Sequence, residues 1–135
     1  MPLVLDASIA ANWHFREGNA AADAILESLA EDAASVPAIW WFEIRNVVVL
    51  GERVGRATQE QTREFLELLS QLPIALDGLP DEQRVFDLAR EHRLTFYDAS
   101  YLELAQREGI ALATLDKDLV KAARLEGVPL IIPAP

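Results

Sequence analysis

MPLVLDASIAANWHF, residues 1–15, decides how the rest of the chain is read. Its apolar run, Pro2–Leu5, is short and unbroken, as suits a strand buried on both faces. Asp6 ends that run, and residues 8–15 read as a short helix. A strand that passes through an aspartate into a helix predicts a parallel sheet with the acid at a strand's carboxyl end. The alternation continues outward. Residues 18–33 carry Ala22, Ile25, Leu26 and Leu29 at helical spacing, 35–37 suit a brief strand, and 39–54 a helix apolar nearly all round at its start, with Gly55 as C-cap. Thr58 opens the next helix with a capping box in TQEQ, and Pro73 closes it before the strand PIAL. A turn at DGLPDEQ (77–83), a helix at 85–93 and the helix carrying Asp98 follow, then a strand at 110–114, a helix at 116–127 and a strand at 128–132. The expectation is an α/β fold, a central, mainly parallel β-sheet flanked by helices, in a single domain over residues 1–135.

Composition narrows the function classes. Half of the residues are apolar (51%) and 25% are charged, the balance of a globular chain with enough material for a core. There is no cysteine, which excludes a disulfide scaffold, a thiolate zinc site and a cysteine nucleophile. No basic segment followed by a long apolar stretch opens the chain, and Glu43 and Arg45 interrupt its longest apolar tract. The expectation is a soluble, cytoplasmic protein with no membrane contact. A formal charge of −10 opposes loose binding of nucleic acid and suits carboxylates that hold divalent cations.

Four acids stand out. Asp6 and Asp116 each follow a strand and precede a helix, where either could be a cap. In a parallel sheet both also lie on one edge, where ligands gather. Asp98 has the form of the third residue of a capping box begun by Thr95, but Phe96, Tyr97, Tyr101, Leu102 and Leu104 suggest a mostly buried helix start. Glu43 has Ile39, Trp40 and Val47 among its neighbours one turn away, which neither a cap nor a solvated face explains. Four converging carboxylates repel one another unless a cation stands between them. All-oxygen ligands suit Mg²⁺ or Mn²⁺, and such an ion can activate water for phosphodiester hydrolysis. Asp118 is a candidate peripheral ligand or a first-turn helix acid, and Ser8 and Thr114 could orient ligands from behind. His14 and His92 lack a partner pattern and are expected at solvated helix ends. The two Asp-Ala-Ser tripeptides, 6–8 and 98–100, share no flanking similarity and are two walls of one pocket rather than a repeat.

VLDAS (4–8), PAIWWFEIRNVV (37–48), LTFYDASYLELA (94–105) and LATLDKDL (112–119) occur in the order and spacing of a PIN-domain ribonuclease, and the chain resembles the bacterial VapC-type toxins in particular. The resemblance covers nearly the whole chain, including GERVGRAT (51–58) between the two central helices. It implies a PIN-like three-layer fold and Mg²⁺- or Mn²⁺-dependent RNA endonuclease activity. It also implies a homodimer and a cognate antitoxin, and it assigns the catalytic, metal-binding acids to Asp6, Glu43, Asp98 and Asp116. Arg45, Arg53, Arg56, Lys117 and Lys121 are the cations that could offset the acidic charge locally. Trp40, Trp41, Phe42, Val48, Val49 and Leu50 exceed the needs of one buried stripe, so part of them is expected in a subunit or antitoxin interface. Such a partner could place an arginine or lysine among the carboxylates. A haloacid dehalogenase-type phosphatase needs a second Asp where Ser8 stands, and a receiver domain needs adjacent acids near the first strand. The non-enzymatic alternative is a binding module whose acidic pocket holds a cation or a partner's basic side chain.

Overall fold

The computed structural model describes residues 1–131. Five short strands, β1 (Leu3–Leu5), β2 (Ala34–Val36), β3 (Ile74–Leu76), β4 (Ala111–Ala113) and β5 (Leu130–Ile131), form one sheet in the order β3-β2-β1-β4-β5, with every pair parallel. Burial follows that order. All three residues of the central β1 are buried, whereas the edge strands β3 and β5 hold none that is. Ile132, included in the last strand on sequence grounds, lies outside the described residues.

Seven helices flank the sheet: α1 (Ala7–Phe15), α2 (Ala20–Ser28), α3 (Ile39–Arg53), α4 (Gln59–Gln71), α5 (Glu82–His92), α6 (Phe96–Glu108) and α7 (Lys117–Leu125). α1 packs on α2 and α3, while α6 packs on α5, α7, β1 and β4. Each boundary has a local cause. Asn19 caps α2, which is shorter than the 18–33 pattern suggested, and its Oδ1 accepts from Ala22 N–H at 3.0 Å. Thr58 and Gln61 form the expected reciprocal capping box of α4. Gly55, with φ +76°, turns the chain out of α3. Gly51 lets α3 approach α1, since a Cβ there would lie 2.6 Å from the Phe15 ring. Arg56 covers the same ring at 4.0 Å and pairs with Glu17 at 2.9 Å.

The chain builds β1, β2 and β3 outward to one side, then returns to lay β4 on the other side of β1. The order reverses between β1 and β4, and the loops leaving their carboxyl ends part in opposite directions. Such a switch point opens a crevice where open parallel sheets bind ligands. Asp6 and Thr114 are the first residues beyond those two strands.

Candidate active site

Asp6 is only 5% exposed, and its carboxylate makes no cap bond to α1. Instead, Ser8 Oγ and Thr114 Oγ1 both donate to its Oδ2, each at 2.7 Å. Each hydroxyl is oriented from behind: Ser8 Oγ accepts from Leu115 N–H and Thr114 Oγ1 from Asp116 N–H, both at 3.0 Å. A hydroxyl that already accepts an N–H has its proton free to give, so both protons point at Asp6. The arrangement therefore presents an ionised carboxylate with Oδ1 directed away from the hydroxyl pair. Burial, and to a smaller degree Asp116, push the Asp6 pKa up, against the lowering effect of the two hydroxyls. A cation at the free oxygen would relieve the conflict.

Asp116 is a cap as well as a site residue. Its Oδ1 accepts from Leu119 N–H at 2.9 Å, fixing the start of α7. Asp98 lies on the first turn of α6, half-buried, and Thr95 caps that helix by accepting from Asp98 N–H at 3.0 Å. Burial raises the Asp98 pKa, and Asp116, Asp6 and Asp118 add to the rise. Glu43, half-buried on α3, accepts the Tyr101 hydroxyl on Oε1 at 2.6 Å. Its pKa is raised by burial first, opposed by the tyrosine, and raised again by Asp6 and Asp98. Asp6, Glu43, Asp98 and Asp116 thus line one open cleft of about 280 Å³, together with Ser8, Asn46 and Val47.

Tyr101 was read from the sequence as core, and it is fully buried. Burial and the neighbouring acids Asp6 and Glu43 push its hydroxyl pKa up, so it remains a donor to Glu43. Its partner lies 58 residues away, and periodicity carries no trace of that bond. Asn46, one turn beyond Glu43, also lines the cleft. Asp118 is exposed and lies outside it, beside Glu91, His92, Arg93 and Lys121 in a neighbouring depression. Phe96 and Tyr97, expected to be buried around Asp98, are 37% and 58% exposed.

Neither histidine is solvated as expected. The His92 side chain is 7% exposed and bonds Glu126 at 2.7 Å. The His14 ring stacks on Phe65 at 4.4 Å and on Phe15 at 4.7 Å, and its Nε2 is buried without a partner. Burial lowers the His14 pKa and favours the neutral ring.

Glu91, His92 and Glu126 have ligand atoms within 4.8 Å of one another. That group nevertheless fits a cation poorly, because Glu126 already accepts Arg84 (2.9 Å) and Gln106 (3.1 Å) on Oε1 and faces His92 on Oε2. In the cleft no ion pair with a protein cation forms, among the described residues, to Asp6, Glu43, Asp98 or Asp116. An open cleft lined by carboxylates suits Mg²⁺ or Mn²⁺, which keep several waters and take one or two carboxylates directly. The donor set is all oxygen, which fits the same hard cations.

Comparison with known proteins follows the same lines. The PIN-domain family model matches residues 3–125. The chain is 35% identical to the exonuclease VapC9 of Pyrobaculum aerophilum over 58% of its length, and the match spans 59% of that relative. It is 31% identical to the ribonuclease VapC3 of Mycobacterium tuberculosis over 73% of its length and 72% of the relative's. The crystal structure of PAE2754 from Pyrobaculum aerophilum superposes with a TM-score of 0.71 at 24% identity, over 97% of this chain and 92% of that one. VapBC2 from Rickettsia felis, bound to a DNA fragment from its promoter, gives 0.67 at 15% identity, over 99% of this chain and 100% of that one. With a family model over most of its length and a VapC relative matched across nearly three quarters of it, the chain belongs to the PIN-domain family, in its VapC branch.

Proposed function

We propose that this chain is a metal-dependent RNA endonuclease and the toxin of a toxin–antitoxin pair, folded as one domain over residues 1–135. The observation that carries the proposal is a cleft at the sheet's switch point whose four carboxylates meet no protein cation among the described residues, although hydroxyl or amide donors orient Asp6, Glu43 and Asp116. Family membership, and relatives named as a ribonuclease and an exonuclease, support the reaction class.

Asp6, Glu43, Asp98 and Asp116 would hold Mg²⁺ or Mn²⁺, with Asp6 and Asp116 joined through Thr114. When bound, the ion supplies Lewis-acid stabilisation of the phosphoryl oxygens and a lowered pKa for an attacking water. The chain's own residues do the positioning. Ser8 and Thr114 fix the Asp6 carboxylate, and Tyr101 fixes Glu43, so little reorganisation is needed when charge develops on the phosphate.

Exposed apolar side chains on α3, namely Trp41, Phe42, Val49 and Leu50, support a homodimer or antitoxin contact, whereas Trp40 and Val48 belong to the core. A VapBC complex among the structures of the same fold is consistent with an antitoxin partner for this chain. No helix among the described residues is long and apolar enough to cross a membrane.

The test is cleavage of linear and circular RNA by partner-free protein with Mg²⁺, Mn²⁺ or EDTA, beside Asp98→Asn. Metal-dependent cutting of the circle, lost in the variant, is the expected result. Cutting of the linear substrate alone would replace endonuclease by exonuclease, and metal binding without any cutting would leave a binding module.

A further inference from the structure

Lys117 and Lys121, the chain's two lysines, both stand on α7, the helix that Asp116 caps. Arg124 follows one turn later. At about 100° per residue, the three side chains fall within roughly 60° of arc. They point away from the face that buries Leu119, Ala122 and Ala123. All three are exposed, and none is ion-paired among the described residues, whereas Arg56, Arg63, Arg84 and Arg107 are each engaged with a carboxylate. The cationic row flanks a cleft of about 560 Å³ that runs from Thr114 and Lys117 to Arg124 and Leu125. Its near end is Thr114, the residue that donates to Asp6, and Lys117 directly follows the cleft acid Asp116.

Helix formation explains Arg124, which stands in the last turn of α7 where the dipole favours a cation, but not the row as a whole. Lys117 occupies the first helical position, where the positive end of the helix dipole disfavours a cation. Of the other cations named in the sequence, Arg45 lies over the Trp41 ring at 4.1 Å and Arg56 over Phe15, while Arg53 ends α3. Acids do border the row. Asp116 and Asp118 flank Lys117, and Asp118 and Glu91 share with Lys121 and Arg93 the depression on its far side. The side toward Thr114 and Leu115 carries none of them.

A chain of net charge −10 repels a polyanion over most of its surface. A strand reaching the carboxylates therefore needs a local lane of unpaired cations. We propose that α7 is that lane, with an RNA strand running along it from the cleft and its phosphates held by Lys117, Lys121 and Arg124. From Lys117 to Arg124 the helix rises about 10 Å, enough for the row to meet more than one phosphate of a strand laid along it. This inference rests on the nuclease reading and adds the path of the substrate.

The experiment measures binding of a fluorescein-labelled single-stranded oligoribonucleotide to the Asp98→Asn protein without divalent ions, from 50 to 200 mM KCl. Adding Lys121→Gln and Arg124→Gln should lower the slope of log K against log salt by about 1.4, at ~0.7 per phosphate contact. Arg63→Gln with Arg90→Gln makes the same change in charge on α4 and α5 and should leave the slope alone. Lys121→Arg should restore its share, which a folding defect would not predict. An unchanged slope in the α7 pair, or an equal fall in both pairs, overturns the lane while the nuclease stands. No RNA binding by the Asp98→Asn parent, together with no cleavage by the unsubstituted protein, overturns the nuclease reading and the lane with it.

Discussion

Glu126 and Asp98 are both half-buried acids in the part of the molecule built from α5, α6 and α7, and their surroundings treat them in opposite ways. Glu126 meets a histidine, an arginine and a glutamine, and its pKa is lowered, chiefly by His92. Asp98 meets two further aspartates across a cleft, and its pKa is raised by burial and by them. Acid density alone therefore does not mark a site. Glu91, His92 and Glu126 are the tighter group, yet His92 and Glu126 are already paired within the protein and Glu91 is exposed. The cleft acids are the looser group, and they lack the counter-charge that a ligand would bring.

The contrast breaks most visibly in activity. Asp98→Asn should lower RNA cleavage at saturating Mg²⁺ by at least about 100-fold, since several kcal/mol of charge stabilisation are at stake, while Glu126→Gln keeps cleavage. Rates on a common RNA check this, and a strong loss in Glu126→Gln would erase the distinction. Tyr101→Phe removes the hydrogen bond that orients Glu43 and should cost about 10-fold in activity or metal affinity. A Mg²⁺ titration of rate separates the two effects.

In stability the signs should reverse. Glu126→Gln weakens charge-assisted bonds to Arg84 and His92 and should destabilise the fold by about 2 kcal/mol. Asp98→Asn removes a repelled charge and should stabilise the metal-free protein by roughly a few tenths of a kcal/mol, solvent screening the repulsion at this half-buried position. Urea unfolding in EDTA measures both, and two losses would mean that Asp98 is compensated within the protein after all.

The smallest effect is on pH. The lowered Glu126 pKa contributes stability above the unfolded carboxylate value near ~4.3. That contribution is lost as pH falls through its folded value, which lies lower still. The raised pKa values of Asp6, Glu43 and Asp98 act the other way. Their ionisation opposes folding in full above the folded values, and protonation on descent from pH 7 relieves it. Metal-free protein should therefore gain a little in Tm from pH 7 to about 5 and lose it below about 4, with Mg²⁺ flattening the upper limb.

Much of this contrast was legible in the sequence, and the part that was not has a common cause. Asp6 and Asp116 could be placed because a strand end is a local signal and a parallel sheet aligns its strand ends. Glu43 stood out through its apolar neighbours one turn away, again a local signal. The Thr58 box and the Gly55 turn are local too. His92 and Tyr101 were misread or underread because their partners, Glu126 and Glu43, lie 34 and 58 residues away. Phe96 and Tyr97 were expected to be buried from hydrophobicity alone, but they sit at the start of α6 and remain exposed. Ser8 and Thr114 could be named as supports, but their joint grip on one oxygen required β1 and β4 to be neighbours.

That grip has a consequence for synthesis. Asp6 is held by Thr114, 108 positions further along the chain, and Ser8 meets Leu115, 107 positions further on. At ~5–20 residues per second, the ribosome needs roughly 5–20 s between making the first of these residues and the last. Until β4 has emerged and inserted beside β1, the nascent chain has its aspartate but no pocket around it. A chain broken off before residue 114 keeps Ser8 beside Asp6 but lacks Thr114, Leu115 and Asp116, so neither the lock nor the four-carboxylate cleft can close in it.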